Sequence, residues 1–227
     1  MENLLGQIQI KVNEKIFLKD PNSSELGKRI ISGSITMIDE IGLECFTFRK
    51  LAMKLETTES SIYRYFESKN KLLIYLTSWY WGWLEYKLVF STTNIALPEE
   101  KLKVAIRVLA DDKDEVDNYG HVNMGLLNRI VISESSKAYL TKEVDESNRV
   151  GFFEGYKRLV NRIGEIVLNI NPKFPYPLTL ISTIVEGIHH EKYFADHLPA
   201  LTDIKNNSSE LALFYTDMAL ATINQKS

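Results

Sequence analysis

Apolar residues recur every three to four positions along most of this chain, and Gly and Pro stand between the periodic stretches. Runs of strict apolar/polar alternation, the mark of a half-buried strand, are scarce. A chain patterned this way buries its apolar stripes by packing helix on helix, so the expected fold class is all-α. With 44% hydrophobic and 25% charged residues, the chain has material for a real core under a charged surface. Its 227 residues fit one small and one medium domain.

Several function classes are disfavoured at once. The single cysteine, Cys45, allows no internal disulfide and fits a reducing, cytoplasmic setting. Met1–Leu5 lack the basic and apolar regions of a signal peptide. The most apolar stretch, Leu72–Leu84, is too short to span a bilayer and runs into Glu85 and Lys87, so no membrane partner is expected. Glu186-x-x-His189 has the spacing of half a di-iron carboxylate site, but no second such motif exists. His190-Glu191-Lys192-Tyr193-Phe194 lacks the second His of a zinc protease, Cys45 has no evident triad, and no Gly-rich phosphate loop occurs. The chain is therefore read as a non-enzyme without metal or cofactor, and His189 and His190 as helix residues near a surface or interface.

Local signals divide the chain. Residues 1–21 form an arm or short helix of undetermined role. Asn22-Ser23-Ser24-Glu25 reads as a helix start, with Asn22 as N-cap and Glu25 reaching back, followed by Leu26, Ile30, Gly33, Met37 and Ile41 on one face and a stop at Gly42. Thr47 caps a short helix, Phe48–Leu55, with Leu51, Ala52 and Leu55 inward; Thr58 caps a second, whose Ile62 and Phe66 share a face. Ser68 caps a long helix through Leu72, Leu76 and Trp79 towards Phe90. Pro98 opens a helix carrying Leu102, Ala105, Ile106 and Leu109. An acidic loop at Asp111–Asp117, a helix near 119–133, and a helix over 144–169 with the stripe Phe152, Tyr156, Leu159, Ile163 and Ile166 or Val167 come next. Pro172, Pro175 and Pro177 break it, and Leu178–Phe194 and Ser209–Gln225 are the last two helices.

The segment Thr47-Phe-Arg-Lys-Leu-Ala-Met-Lys-Leu-Glu-Thr-Thr-Glu-Ser-Ser-Ile-Tyr-Arg-Tyr-Phe-Glu-Ser-Lys-Asn-Lys-Leu-Leu73 carries the function. Two short capped helices joined by a tight turn make a tripod with the long helix before them, and Ala52 is small enough to let them cross closely. The start of the second, Thr58-Glu59-Ser60-Ser61, is left with free backbone N–H groups and hydroxyls, which suit a major groove and its phosphates. Between residues 47 and 71 six bases (Arg49, Lys50, Lys54, Arg64, Lys69, Lys71) face three acids (Glu56, Glu59, Glu67), although the whole chain has a net charge of −3.

This segment resembles the DNA-binding domain of the TetR/AcrR family of bacterial regulators. The resemblance rests on Thr47, Leu51-Ala52, Thr58, the run Ile62-Tyr63-Arg64-Tyr65-Phe66 and Ser68-Lys69, with Ile41-Gly42 upstream; it is specific over residues 24–90. It implies a three-helix helix-turn-helix over 22–73, with the connecting helix from residue 68, and a larger C-terminal bundle over 74–227, about nine helices in all. It implies double-stranded operator DNA as partner, a homodimer, and a small hydrophobic or aromatic effector. By position Tyr63 and Lys69 would hold phosphates, with Thr47 and Tyr65 as further backbone contacts and Arg49 and Lys50 as looser ones. Thr57, Thr58, Glu59 and Ser60 lie where base edges are read. The family turn between the two short helices usually carries Gly and then an apolar residue, where this chain has Glu56-Thr57. Either Glu56 is left-handed, at a cost of about 1–2 kcal/mol, or the turn differs in shape.

The final helix has Leu211, Phe214 and Met218 on one stripe and Leu213, Leu220 and Ile223 off it, so it is buried on several sides, as a central core helix or in a dimer. Leu211, Phe214, Met218, Ile184 and Ile188 are the expected dimer residues. The aromatic stripe of the long helix reads first as core; Trp79, Trp83, Met124, Phe152, Phe153, Tyr156 and Ile184 are the candidate walls of an effector pocket. An effector that prefers the non-operator geometry would lower DNA affinity by that preference.

Overall fold

The computed structural model describes residues 10–111, 118–205 and 207–225. The expectations for residues 1–9, and for the acidic loop beyond Asp111, lie outside the described residues. Eleven α-helices are described: α1 Glu25–Cys45, α2 Phe48–Lys54, α3 Glu59–Tyr63, α4 Lys69–Thr92, α5 Pro98–Ala110, α6 Met124–Glu134, α7 Ser136–Tyr139, α8 Val144–Arg149, α9 Glu154–Ile170, α10 Pro177–His197 and α11 Ser208–Ile223. A two-stranded antiparallel hairpin, β1 Asn118–Tyr119 and β2 Val122–Asn123, pairs Tyr119 with Val122. The all-α expectation holds. None of the described helices is long and apolar enough to cross a membrane.

Local chemistry explains most boundaries, and tertiary contacts explain the departures. α1 is capped by Ser24, whose Oγ accepts from the Gly27 amide at 3.1 Å, and not by Asn22. Asn22 lies in a 3-10 turn, Pro21–Ser23, capped by Asp20, and its side-chain amide donates to the Tyr75 hydroxyl (3.2 Å). Glu25 pairs forward with Lys28 at 2.7 Å instead of reaching back. Ile30, Ile31, Ser34, Ile35, Met37 and Ile38 of α1 are buried, while Ile41 is exposed. The helix expected near 119–133 starts at residue 124, because Gly120 takes a positive φ of 63° in the hairpin turn and Asn123 caps the helix behind it. The helix expected over 144–169 is broken at Gly151 (φ 85°) into α8 and α9. Phe152, assigned to its stripe, sits buried in the break, where its carbonyl accepts from the Ser78 hydroxyl at 3.1 Å.

Two compact units result, and they do not follow the expected linear division at residue 73. The first comprises Met1–Gly82 and Lys113–Glu154, the second Trp83–Asp112 and Gly155–Ser227. In the first, α6 and β2 pack along α1, so the segment from β1 to α8 belongs with the helix-turn-helix. The arm residues described are tied in too: Ile16 is buried, Leu18 donates its amide to the Tyr65 carbonyl (2.8 Å), and Asn13 Nδ2 donates to the Val150 carbonyl (2.9 Å). In the second unit α11 packs chiefly against α5 and also against α10. Leu102, Ala105, Ile106 and Leu109, all predicted inward, meet a core of Ile181, Ile184, Ile188, Leu211, Tyr215 and Ile223. Each large side chain there contributes about 1.5–3 kcal/mol by leaving water. Glu85 is buried in this unit and held by two arginines of α9, Arg158 Nε at 2.9 Å and Arg162 Nε at 2.7 Å, as a buried carboxylate requires.

Candidate nucleic-acid interface

A seven-residue helix and a five-residue helix are too short to stand alone, so α2 and α3 exist because their ends are satisfied and one face of each is buried. Thr47 Oγ1 accepts from the Lys50 amide (3.2 Å), while Phe48, Leu51, Ala52 and Leu55 point inward. Arg29 of α1 donates to the Leu55 carbonyl (2.6 Å), supplying a partner to the C-terminal end of α2. The turn that follows is a full Schellman motif: the Glu56 amide donates to the Met53 carbonyl (3.3 Å) and the Thr57 amide to the Ala52 carbonyl (3.0 Å). Glu56 occupies the left-handed position at φ 53°, which resolves the two possibilities for this turn. A glutamate thus stands where glycine is cheaper.

α3 opens at Thr58, whose Oγ1 accepts from the Ser61 amide (3.2 Å) and shares hydrogen bonds with the Ser60 and Ser61 hydroxyls at 2.9 and 2.8 Å. Ile62 and Phe66, both 0% exposed, pin its other end, and Ser68 Oγ then accepts from the Lys71 amide (3.2 Å) to open α4. Thr47, Arg49, Thr58, Ser60 and Tyr63 are exposed, and Thr57 and Glu59 are half-buried. Tyr63 is 46% exposed, and its ring stands edge-on against Phe48 at 5.0 Å, which restricts the rotamer. Beside the exposed hydroxyls lie two acids, Glu56 and Glu59.

Two expected phosphate contacts have other employment. Tyr65 is 3% exposed and its hydroxyl bonds Ser24 Oγ at 2.7 Å, with the Lys19 ammonium 5.1 Å from its ring, so it does not face outward. The Ser24 hydrogen bond, helped by Lys19, holds this phenol below its ordinary range. Lys69 donates to the carbonyls of Leu43 (3.0 Å) and Glu44 (3.3 Å), which commits two of its three N–H bonds to the end of α1. Lys50 donates to the Cys45 carbonyl at 2.8 Å, Lys54 pairs with Glu40 at 3.1 Å, and Lys71 lies 4.0 Å over the Phe152 ring. Arg49 and Arg64 are exposed, as are Lys50 and Lys54. Arg64 counted only as charge in the sequence; its adjacency to Tyr63 was the available signal.

The remaining candidates divide between the units. Trp79, Met124 and Phe152 are buried and Phe153 half-buried in the first, where Trp79 meets Tyr119 edge-on (5.6 Å). Trp83 and Ile184 are buried in the second, where half-buried Tyr156 donates to Glu186 at 3.0 Å. A cleft of about 470 Å³ in the second unit is lined by other residues, among them Phe174, Tyr176, Leu180 and Met218. Of the expected dimer residues, Ile184, Ile188 and Leu211 are used in the unit's own core (0%, 1% and 2% exposed), while Phe214 is 53% exposed and Met218 half-buried. His189 is buried rather than peripheral; His190 is exposed, with Nδ1 2.8 Å from the Glu186 carbonyl.

Comparison with known proteins agrees with this geometry. Residues 30–76 match the family model of the bacterial regulatory proteins, tetR family. No curated protein sequence matches the chain significantly. Among solved structures, AibR in complex with isovaleryl coenzyme A and operator DNA is similar at 15% identity and a TM-score of 0.58, covering 83% of this chain and 95% of that one. The fatty acid degradation regulator FadR from Bacillus halodurans is similar at 17% identity and a TM-score of 0.57, covering 87% and 94%. The superantigen PfiT shares the fold as well, at 14% identity and a TM-score of 0.56, covering 92% and 100%. At such identities the likeness is one of fold, and the family assignment rests on the matched segment. Through residues 30–76, which hold the helix-turn-helix just described, the chain carries the DNA-binding domain of the bacterial regulatory proteins, tetR family.

Proposed function

We propose that this chain is a homodimeric transcriptional repressor that binds operator DNA through α2 and α3 and is released by a small molecule. The observation that carries the reading is the amino end of α3: Thr58, Ser60 and Tyr63 stand exposed on a helix whose other end is locked by Ile62 and Phe66. An N-terminal helix end with hydroxyls and free amides is built to meet phosphates and base edges. Thr57, Glu59 and Ser60 are the base-reading candidates, and Thr47, Arg49, Arg64 and Tyr63 the backbone contacts; Lys69 has one N–H left for a phosphate. Two copies would use the outward remainder of α11, Phe214 and Met218 with Leu213. The recognition helices would then stand about 34–36 Å apart. That AibR, on a similar fold, holds both a coenzyme A thioester and operator DNA supports an effector here. The effector would meet either the aromatic residues around Trp79 in the first unit or the cleft at Phe174 and Tyr176 in the second.

A second reading, a helical interaction module that keeps the fold without binding operators, is favoured by Glu56 and Glu59 beside the recognition helix. Selection of bound fragments from genomic DNA, followed by salt titration, separates the two. A DNA binder loses about 0.9 log units of affinity per log unit of salt for each phosphate neutralised. Arg49→Gln is expected to lower that slope by about one phosphate for all sequences, and Ser60→Ala to change sequence preference at one position. Absence of any selected fragment, or affinity indifferent to salt, would reject the repressor reading.

A further inference from the structure

We infer that Glu134, on α6, is a positioning residue for DNA binding: its carboxylate sets the direction in which the chain leaves α1 and begins the helix-turn-helix. The inference rests on the reading above. α1 is not continuous. Gly42, at φ 72° and ψ 158°, breaks it one turn before its end, a conformation open to glycine and costly for other residues. The break takes the Leu43 amide away from its helical acceptor inside a buried region, for Leu43 is 6% exposed. A buried amide without an acceptor is strongly disfavoured. The acceptor is Glu134 Oε1 at 3.2 Å, supplied by a residue 91 positions along the chain.

The segment after the break is held at several of its polar groups. Lys137 pairs with Glu134 Oε2 at 2.7 Å and also reaches Glu44 Oε1 at 3.1 Å. Lys69 takes the carbonyls of Leu43 and Glu44. One turn earlier, Arg129 of α6 holds Asp39 of α1 with two bonds, at 2.8 and 2.9 Å, which fixes the register of the two helices. Phe46 follows, 0% exposed, and then Thr47, the cap of α2. The orientation of α2, and through its turn that of α3, is thus inherited from α6.

The test uses the full chain with Glu134→Gln, which keeps the acceptor oxygen, and Glu134→Met, which keeps the length and removes it. The readouts are amide hydrogen exchange over residues 43–48 and affinity for a DNA fragment selected by the unaltered protein, measured well below each variant's unfolding temperature. Glu134→Met is expected to lose protection at Leu43 and to weaken binding by on the order of tenfold, while Glu134→Gln recovers most of both. A folded Glu134→Met with unaltered affinity and protection would overturn the inference, as would Glu134→Gln behaving like Glu134→Met. Should Glu134→Met fail to fold, Lys137→Met takes its place. It leaves the Leu43 bond but releases Oε2 and Glu44, and is expected to weaken binding by about threefold, with unchanged affinity again overturning the inference. If the unaltered protein selects no DNA, the repressor reading falls by itself, and hydrogen exchange at 43–48 still decides whether Glu134 anchors the segment.

Discussion

Glu56 occupies the place in the turn between α2 and α3 where a glycine would cost least, and its replacement should stabilise the protein. The residue is exposed, sits at φ 53°, and uses only its backbone amide in the Schellman motif, so its side chain can be removed without breaking a packed contact. An L-residue in this conformation carries a strain of about 1–2 kcal/mol. Glycine removes that strain but loses more freedom on folding, about 0.5–1 kcal/mol. The difference predicts that Glu56→Gly gains about 0.5–1 kcal/mol, or about 1–4 °C in Tm for a chain of this size. Glu56→Ala is the control, since it removes the same charge while keeping a Cβ in the left-handed region. Urea unfolding of the three proteins side by side measures the gain. If Glu56→Gly is no more stable than Glu56→Ala, the argument from backbone strain is wrong. DNA affinity separates the electrostatic effect, because both variants remove an acid beside α3 and, on the proposed reading, should tighten binding equally.

Two further outcomes concern the second unit. A Cβ on Gly187 would lie 2.3 Å from the hydroxyl oxygen and 2.9 Å from Cζ of Tyr215, a 6% exposed ring with little room to turn. Gly187→Ala should therefore cost about 1–3 kcal/mol, and adding Tyr215→Phe should recover part of it in a double-mutant cycle; a Gly187→Ala protein as stable as the parent would refute the close approach. Burial, helped by Lys192 and His190, pushes His189 down from its ordinary 6.5 to about 3. As pH falls below 6.5 the unfolded chain takes up the proton first, so stability is lost between pH 6.5 and 3. From pH 7 to 5 that amounts to about 2 kcal/mol. His189→Gln should remove this slope, and an unchanged pH profile in that variant would count against it.

Much of the DNA-binding segment was legible because its signals are local. Thr47, Thr58 and Ser68 accept from amides three residues on, and Leu51, Ile62 and Phe66 recur at helical spacing, so neither needs knowledge of the rest of the chain. Asn22 misled for a local reason of another kind: Pro21 favours a tight turn before the helix, and Ser24, two residues later, was an equally good cap. The outward assignment of Tyr65 went astray, and the two carbonyls held by Lys69 were not foreseen, because one aromatic or one ammonium looks the same in sequence whether it faces solvent or a partner. Their partners, Ser24 and the carbonyls of Leu43 and Glu44, stand 41, 26 and 25 positions away.

By itself, then, the sequence determined the helical class and the start of each short helix, since hydrogen bonds between near neighbours and the period of apolar residues settle those. Tertiary structure alone decided that the Leu43 amide beyond the stop at Gly42 meets Glu134, that residues 118–154 pack with the helix-turn-helix, and that Ile184, Ile188 and Leu211 are spent inside the second unit. Each of these depends on which distant groups meet. A buried amide or apolar face takes whichever partner the packed chain brings within reach, and sequence spacing carries no record of that choice.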